Sequence, residues 1–286
     1  MSSRLSAGLV TVVTAFVIGG CGPSGEEPHG PQAHASYANG KASSGAALVG
    51  RSLMQRGELL EHVTQETNHA LRLPLAISVV GAQCGVENAF WNFSEKTITI
   101  CYEDAELSFR LFKEAGDPDP IGSAAAAEET TFYHELAHAV IDSYGLPFTG
   151  REEDVADQLV VYLLLEPHGN GEVDEDAPDA VMAYARMFEQ YAKDKKFVSE
   201  NDFADKHSMS KARVYNLLCW MYGSDPAKFG HIVNDGLLPA TRAAGCEGEF
   251  KELSRGWTSL LGSHFHAPHA GHEDEHSDHD EHSDHE

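Results

Sequence analysis

The chain has 286 residues, with 20 lysines and arginines against 45 aspartates and glutamates, so its formal net charge is -25 at pH 7. A surface with this excess of negative charge repels nucleic acids and anionic membrane faces, which excludes DNA and RNA as partners. It attracts cations and tolerates basic substrates. The length allows one substantial domain with additional tails.

Residues 1–21 are predicted to be a lipoprotein signal peptide. Arg4 gives the positive start, an apolar stretch follows, and small residues lead to Cys21. Small residues ending on a cysteine resemble the bacterial lipobox, whose cysteine receives lipid, including palmitate, and becomes the mature N-terminus. The alternatives are an ordinary secretory signal and a short anchor helix, but the apolar run is short for a membrane span. Gly22 favours the outer membrane, so we expect a protein of the bacterial cell envelope that faces the periplasm and contacts the membrane only through its lipid.

Composition divides the rest of the chain into three parts. Residues 22–44 are rich in glycine, proline, serine, alanine and histidine without a hydrophobic period, and they predict a flexible tether. Residues 45–263 are predicted to form the folded domain. Residues 264–286 are predicted to be a disordered tail rich in histidine, aspartate and glutamate.

The beginning of the domain is predicted to combine helices with a small sheet. Apolar residues recur at helical spacing over 46–71. A strand is predicted at 75–80, and two more strands at 88–93 and 96–101 are joined by a short turn as a β-hairpin. Further amphipathic helices are predicted at 178–193, 211–222 and 250–261.

The most informative motif is His134-Glu135-Leu136-Ala137-His138, an H-E-x-x-H sequence on a predicted helix. That helix begins in the alanine-rich, acidic segment 123–129 and ends at Gly145. Two histidines four residues apart project from one helical face, so both imidazoles can reach one ion. Glu135 lies beside that ion and can take a proton from a metal-bound water. The alternative is a chance pair of histidines on a core-facing helix.

A second predicted helix over 151–165 begins with four acidic residues among its first seven. A catalytic zinc needs three protein ligands and an open position, and a ligand histidine needs its far ring nitrogen held by a carboxylate or carbonyl. We expect Glu153 to be the third ligand and Asp157 to orient a ligand histidine. Asp157 as the ligand is the main alternative, ahead of Glu152 and Asp154. Acids that only favour a helix N-terminus would explain one or two of the four.

His207 is the other histidine of the domain to which we assign a role. A histidine can stabilise the oxyanion that forms when hydroxide attacks a carbonyl group, and His207 is a candidate for that catalytic role. A surface histidine or a histidine with satisfied hydrogen bonds in the core is the alternative.

The cysteines predict two disulfides. If Cys21 is lipidated, four cysteines remain in an oxidising compartment. Cys84 and Cys101 flank the hairpin strands, and Cys219 and Cys246 both lie in the C-terminal helical region. Pairing within each of these two regions is therefore favoured among the three pairings. A thiolate metal site is the alternative, but the C-x-x-C spacing typical of such sites is missing.

The E-x-x-x-D pattern after H-E-x-x-H resembles the glutamate zincins, the thermolysin-like clan, although the gap from His138 to Glu153 is short for thermolysin itself. Most of the mature domain resembles a bacterial family of metallopeptidases that is named for its zinc motif and classed as a domain of unknown function. The resemblance implies an α+β, helix-dominated, zincin-like domain whose small β-sheet precedes the H-E-x-x-H helix. In zincins, an edge strand of that sheet pairs with the extended substrate; a sheet that merely covers the helices is the alternative. The shared motifs are Phe90-Trp91, residues 98–103, 134–139, 150–154 and 156–158, His207-Ser208, Tyr215-Asn216, Cys219-Trp220, residues 222–226 and Cys246.

The tail predicts additional metal binding. Neutral imidazoles and carboxylates suit the capture of Zn, Ni or Cu at low specificity, whereas the alternative is a solvated acidic tail without function. Its histidines are His264, His266, His269, His272, His276, His279, His282 and His285.

The sequence as a whole predicts a zinc-dependent peptidase that acts on peptides or proteins. His134, His138 and Glu153 are expected to bind Zn²⁺, and Glu135 is expected to act as general base and then carry the proton to the leaving amine. The alternative is a non-enzymatic periplasmic lipoprotein that binds or buffers zinc, which the histidine-rich tail supports.

Overall fold

The computed structural model describes residues 33–168, 173–194 and 198–266. The predicted α+β, helix-dominated fold is confirmed, because the protein is 62% helical and a small mixed sheet precedes the long helices. In chain order the elements are β1 (Ala35–Asn39), α1 (Gly45–Arg56), α2 (Leu59–Ala70), β2 (Ile77–Ala82), β3 (Ala89–Asn92), β4 (Thr97–Cys101), α3 (Tyr102–Glu114), α4 (Pro120–Tyr144), α5 (Glu152–Leu165), α6 (Ala177–Asp194), α7 (Glu200–Ala204), α8 (Ser210–Ser224), α9 (His231–Asn234), α10 (Ala240–Ala243), α11 (Cys246–Leu261) and a final 3-10 helix (Gly262–His264).

The sheet has the order β1-β2-β4-β3. The strands β1, β2 and β4 run parallel, whereas β3 is antiparallel to β4, with Trp91 opposite Ile98. The predicted hairpin is therefore confirmed. The sequence did not show which strand lies at the edge; the structure places β3 at one edge, where it packs against α4.

The prediction of a tether over 22–44 is wrong for residues 35–39, which form the other edge strand, β1. This strand pairs in register with β2, and the Asn68 amide binds both the N–H and the C=O of Ala35 at 2.7 and 2.9 Å. Ala35 is buried while the next three residues are exposed, so the strand shows no clear alternation of apolar and polar residues. Residues 35–39 form a strand because of backbone hydrogen bonds rather than because their side chains are buried.

The prediction that the tail begins at residue 264 is also wrong over its first residues. The final 3-10 helix includes His264, Phe265 is buried, and its ring stacks on His168 at 4.0 Å between centroids. A single aromatic residue between histidines gives no periodic signal, which is why composition alone predicted a tail. The remainder of the tail, the signal peptide with Cys21 and the start of the predicted tether lie outside the described residues.

The helix α4 passes through the centre of the domain and contacts α3, α5, α6 and β3. It begins where the Asp119 carboxylate accepts a hydrogen bond from the Gly122 N–H, and it ends at Gly145 with φ 61°. Phe132, Leu136 and Val140 are fully buried along one stripe. The histidine motif is therefore carried on a rigid, internally packed element.

Both predicted disulfides are confirmed, Cys84–Cys101 and Cys219–Cys246. The first joins the loop after β2 to the end of β4, and the Glu103 carboxylate also accepts the N–H groups of Cys84 and Gly85. The described residues belong to one compact unit. Among them, no helix combines the length and the apolar character that crossing a bilayer requires.

We predict that Gly50→Ala destabilises the fold, because α1 packs directly on the backbone of α3 at this glycine. A Cβ atom at Gly50 would lie 1.7 Å from the carbonyl oxygen of Tyr102, and backbone cannot rotate away as a side chain can. The free energy of unfolding, measured by urea denaturation, should fall by about 1–3 kcal/mol.

The matched control is Gly256→Ala in α11, where an added Cβ meets no atom within 4 Å. That variant should be as stable as the wild type or gain up to about 1 kcal/mol, since alanine favours a helix over glycine. Equal stability of the two variants would contradict the close packing of α1 on α3.

Candidate metal centre

The centre is formed where the first turn of α5 faces the middle of α4. His134 and His138 lie one helical turn apart on α4, with ring centroids 4.9 Å from each other. Glu153 projects from α5 between them, and its Oε2 atom lies 3.1 Å from His134 Nε2 and 3.3 Å from His138 Nε2. His134 and Glu153 are buried.

The distances between these atoms fit a divalent metal ion. One nitrogen of each histidine and one oxygen of Glu153 all lie within 4.8 Å of one another. Tetrahedral zinc with ligands at about 2.0–2.1 Å places its donor atoms roughly 3.3 Å apart. The two measured distances of 3.1 and 3.3 Å match this spacing. The three side chains could therefore hold zinc and leave a fourth position open.

The far nitrogen of His134 is held by a carboxylate, which in turn is held by a buried arginine. His134 Nδ1 lies 3.0 Å from Asp157 Oδ1, so it donates its proton there and leaves Nε2 free to act as a ligand. Arg213 donates to both oxygens of Asp157, at 2.7 and 2.6 Å, and to the Tyr184 hydroxyl at 3.0 Å. Asp157 therefore points to the outer side of His134, away from Glu153.

The charges of Arg213, Asp157 and His134 stabilise one another. Burial alone would raise the pKa of Asp157, but the Arg213 charge and the hydrogen bond from His134 lower it to about 2. Burial would lower the pKa of His134, but its hydrogen bonds to Asp157 and Glu153 raise it to about 9 in the absence of metal. Sequence reasoning missed Arg213, because one arginine on a later helix carries no spacing signal relative to Asp157.

His138 has its own carboxylate partner, Glu152, whose Oε1 atom lies 2.8 Å from His138 Nδ1. The sequence suggested Glu152 only as a minor alternative ligand. In the structure it contacts the nitrogen that faces away from Glu153, where it fixes the ring orientation. Its position directly before the candidate ligand Glu153 was the only signal in the sequence.

Glu135 is held by the edge strand β3. The Trp91 N–H donates to Glu135 Oε2 at 2.7 Å. Because the Cys101 N–H on β4 donates to the Asn88 carbonyl at 3.1 Å, the alternating pattern of an antiparallel pair turns the N–H of Trp91 towards the free edge. The Trp91 indole and the Lys96 ammonium both bind Asp142 on α4, at 3.2 and 3.3 Å. These contacts fix the strand beside the candidate base.

His207 lies on the loop between α7 and α8 and reaches the centre. Its Nε2 atom is 3.1 Å from Glu153 Oε2, its Nδ1 atom is 3.0 Å from Asp205 Oδ1, and its side chain is 40% exposed. Lys206 pairs with the other oxygen of Glu153. Burial would raise the pKa of Glu153, but hydrogen bonds from the two α4 histidines, His207 and Lys206 hold it far below its ordinary range.

These groups line one cavity of about 820 Å³. Its lining includes the three candidate ligands, Glu135 and His207, together with residues from β3, α3 and α6. The cavity therefore brings three possible metal ligands, a carboxylate and a further imidazole to one space that a molecule can enter from solvent.

We predict that Glu152→Ala weakens zinc binding by about tenfold, the lower end of the range for partners of ligand histidines, because Glu152 is half-exposed. Competition with a chromophoric chelator measures the affinity. The control is Asp154→Ala, which removes the same charge from the same helical turn. Equal losses in the two variants would show that only charge, and not the contact with His138, matters.

The stability of the metal-free protein should decrease as the pH rises. The pKa of His134 is raised from 6.5 to about 9, so its stabilising contribution is fully present below pH 6.5 and is lost as the pH rises through 9. Calorimetry of chelator-treated protein should therefore show a falling Tm across this interval. His134→Asn should flatten the decrease, and an unchanged slope in that variant would contradict the assignment.

Comparison with known proteins agrees with this geometry. Residues 40–261 match the family described as "Putative metallopeptidase". Searches of curated proteins and of solved structures found no match. The cluster of His134, His138 and Glu153 is compatible with the zincin-like site that the sequence motif predicts. Since the match covers most of the chain, this protein belongs to that metallopeptidase family.

Proposed function

We propose that this protein is a zinc-dependent peptidase that hydrolyses peptide bonds in the cavity beside α4. The observation that carries the proposal is the position of Glu153 Oε2, at 3.1 and 3.3 Å from the ring nitrogens of His134 and His138. An ordinary ion pair would need only one such contact. Two imidazoles from one helix converge on this carboxylate oxygen, which His207 also contacts, and together with the adjacent Glu135 they support a ligand set beside a base.

In this proposal His134, His138 and Glu153 hold the ion, and the carboxylates of Asp157 and Glu152 keep the two imidazoles in the tautomer that binds it. Bound zinc would supply Lewis-acid activation of water and of the substrate carbonyl. Arg213 keeps Asp157 ionised, so the orienting hydrogen bond to His134 persists at neutral pH.

Glu135 moves the proton. Its carboxylate accepts a proton from the attacking water, while the water oxygen forms a bond to the carbonyl carbon. Glu135 then donates that proton to the amide nitrogen as the C–N bond breaks, so an amine and a carboxylic acid, which loses its proton to solvent, leave the site. The hydrogen bond from the Trp91 N–H holds Oε2, which leaves Oε1 to face the water.

His207 is proposed to donate a hydrogen bond to the oxyanion that develops on the carbonyl oxygen. Its Nε2 atom reaches Glu153 at 3.1 Å, so the side chain extends to the metal end of the cavity, and its partial exposure lets it adjust to a substrate. The free edge of β3 borders the same cavity, which supports an extended substrate backbone pairing with this strand.

We also propose that the protein is lipid-anchored through Cys21 and faces the periplasm, as the lipobox-like sequence suggests. The two disulfides support an oxidising compartment. Metal capture by the histidine-rich tail remains a proposal from composition alone.

The proposed reaction is tested by Glu135→Gln, which keeps the size of the side chain but removes its basicity. Turnover of a peptide library should fall by at least about 100-fold, the usual contribution of a general base, whereas metal analysis should still find zinc bound. Removing residues 267–286 from both proteins excludes metal held by the tail.

The matched control is Glu129→Gln, a change of the same chemistry on the same helix, at a side chain that faces His62 rather than the cavity. It should retain wild-type turnover. Cleavage by Glu135→Gln at the wild-type rate would refute the base assignment. Stoichiometric zinc without cleavage of any peptide by wild-type protein would favour a zinc-buffering role instead.

A further inference from the structure

The cavity is also lined by acidic residues that are not candidate ligands. Asp104 on α3 and Glu87 on the loop before β3 are two of them, and the charges of Glu87 and Glu135 both act on Asp104. Leu107, Met187 and Tyr191 line the same cavity with apolar and aromatic surface. We call the part lined by Asp104, Glu87 and Tyr191 the acidic pocket.

Asp104 is a buried carboxylate without a partner. It is 7% exposed, and it makes no hydrogen bond or ion pair with any of the residues that the structure describes. Burial, followed by the charges of Glu87 and Glu135, raises its pKa to about 7. Buried carboxylates are normally paired, so this side chain has a cost to the fold that a bound cation would remove.

A second buried acid, Glu128, interacts electrostatically with Asp104. Glu128 on α4 is 1% exposed; its Oε1 atom accepts a hydrogen bond from Ser108 at 2.6 Å, but Oε2 has no partner among the described residues. Burial and then the charge of Asp104 raise the pKa of Glu128 well above its ordinary range. The charged groups that raise the pKa values of Asp104 and Glu128 are therefore all acids.

The basic residues of the cavity are engaged elsewhere. Arg213 binds Asp157, Lys206 binds Glu153, and Arg151 contacts the carbonyl of His207. None of these contacts reaches Asp104. A cation for the acidic pocket must therefore come from outside the described part of the chain.

We propose that the acidic pocket binds a lysine or arginine side chain of the substrate, next to the scissile bond. This inference rests on the proposed peptidase function. Leu107, Met187 and Tyr191 suit the methylene groups and the cationic head of such a side chain, and Asp104 forms the charge-assisted hydrogen bond at its end. A free metal ion fits less well, because among the described residues Asp104 belongs to no group of three His, Cys, Asp or Glu side chains close enough together to hold one.

Cleavage of a peptide series tests the proposal directly. The series carries lysine, arginine, norleucine, glutamine or glutamate at each position flanking the scissile bond, and kcat/KM is measured for each peptide. Norleucine matches the lysine stem without its charge. Wild-type protein should prefer lysine or arginine to norleucine by about 10- to 100-fold at one position, the range expected for a hydrogen bond between charged groups.

Asp104→Asn should abolish that preference and leave kcat/KM for the norleucine peptide within about twofold of wild type. Because the substitution removes an unpaired buried charge at constant size, the variant should fold at least as stably as wild type, which its Tm would show. The control is Glu114→Gln on the same helix, at an exposed acid outside the cavity. It should keep the full preference.

A binding measurement separates failure of this inference from failure of the proposed reaction. Zinc-loaded full-length protein is titrated with N-acetyl-lysine amide and with N-acetyl-norleucine amide, and binding is followed by NMR. Tighter binding of the lysine compound to wild type, lost in Asp104→Asn, supports the pocket even if no peptide is cleaved. Equal affinity for both compounds, or a lysine preference that survives Asp104→Asn, would overturn it.

Discussion

The structure depends above all on the chain of contacts from Arg213 through Asp157 to His134, which joins α8, α5 and α4 in the core. A buried arginine and a buried aspartate are each costly alone, and each is stable here because two hydrogen bonds connect them. The cation also lies 3.8 Å from the Phe188 ring. Three helices are thereby held at the spacing that brings a histidine of one beside a glutamate of the next. The site and the core are therefore stabilised by the same interaction.

The candidate ligands and the donors around them lie on different kinds of element. The imidazole of His134 and the carboxylate of Glu153 come from long, buried helices. His207 and Lys206 come from a loop and are substantially exposed. Candidate ligands on buried helices beside exposed donors on a loop suit the proposed reaction, in which the ligand geometry is kept while a substrate enters and leaves.

Much of the fold was predictable from local patterns. The helical period, the Gly145 stop and the hairpin alternation predicted α4, β3 and β4, and proximity along the chain predicted both disulfides. The strand β1 was not predictable, because its order comes from backbone pairing and from the distant side chain of Asn68. The spacing of the two motifs also predicted that His134, His138 and Glu153 lie together as ligands of one metal ion.

Contacts between distant segments were beyond the sequence. Arg213 lies 56 positions from Asp157, and nothing in the local pattern distinguishes it from a surface arginine. Asp104 reads as an ordinary acid near the N-terminus of a helix, where negative charge is common. Only the packing of α4 and α6 around α3 shows that it is buried without a partner.

The disulfide Cys84–Cys101 has a consequence for redox control. Glu87 follows Cys84 by three positions and Asp104 follows Cys101 by three. The two acids of the acidic pocket therefore lie on segments that this one disulfide joins. The candidate ligands lie on α4 and α5, and neither of the two disulfides joins these helices. If the acidic pocket selects side chains as proposed, thiol reductants would loosen this pocket before the candidate ligands, so that the reduced protein would lose selectivity before activity.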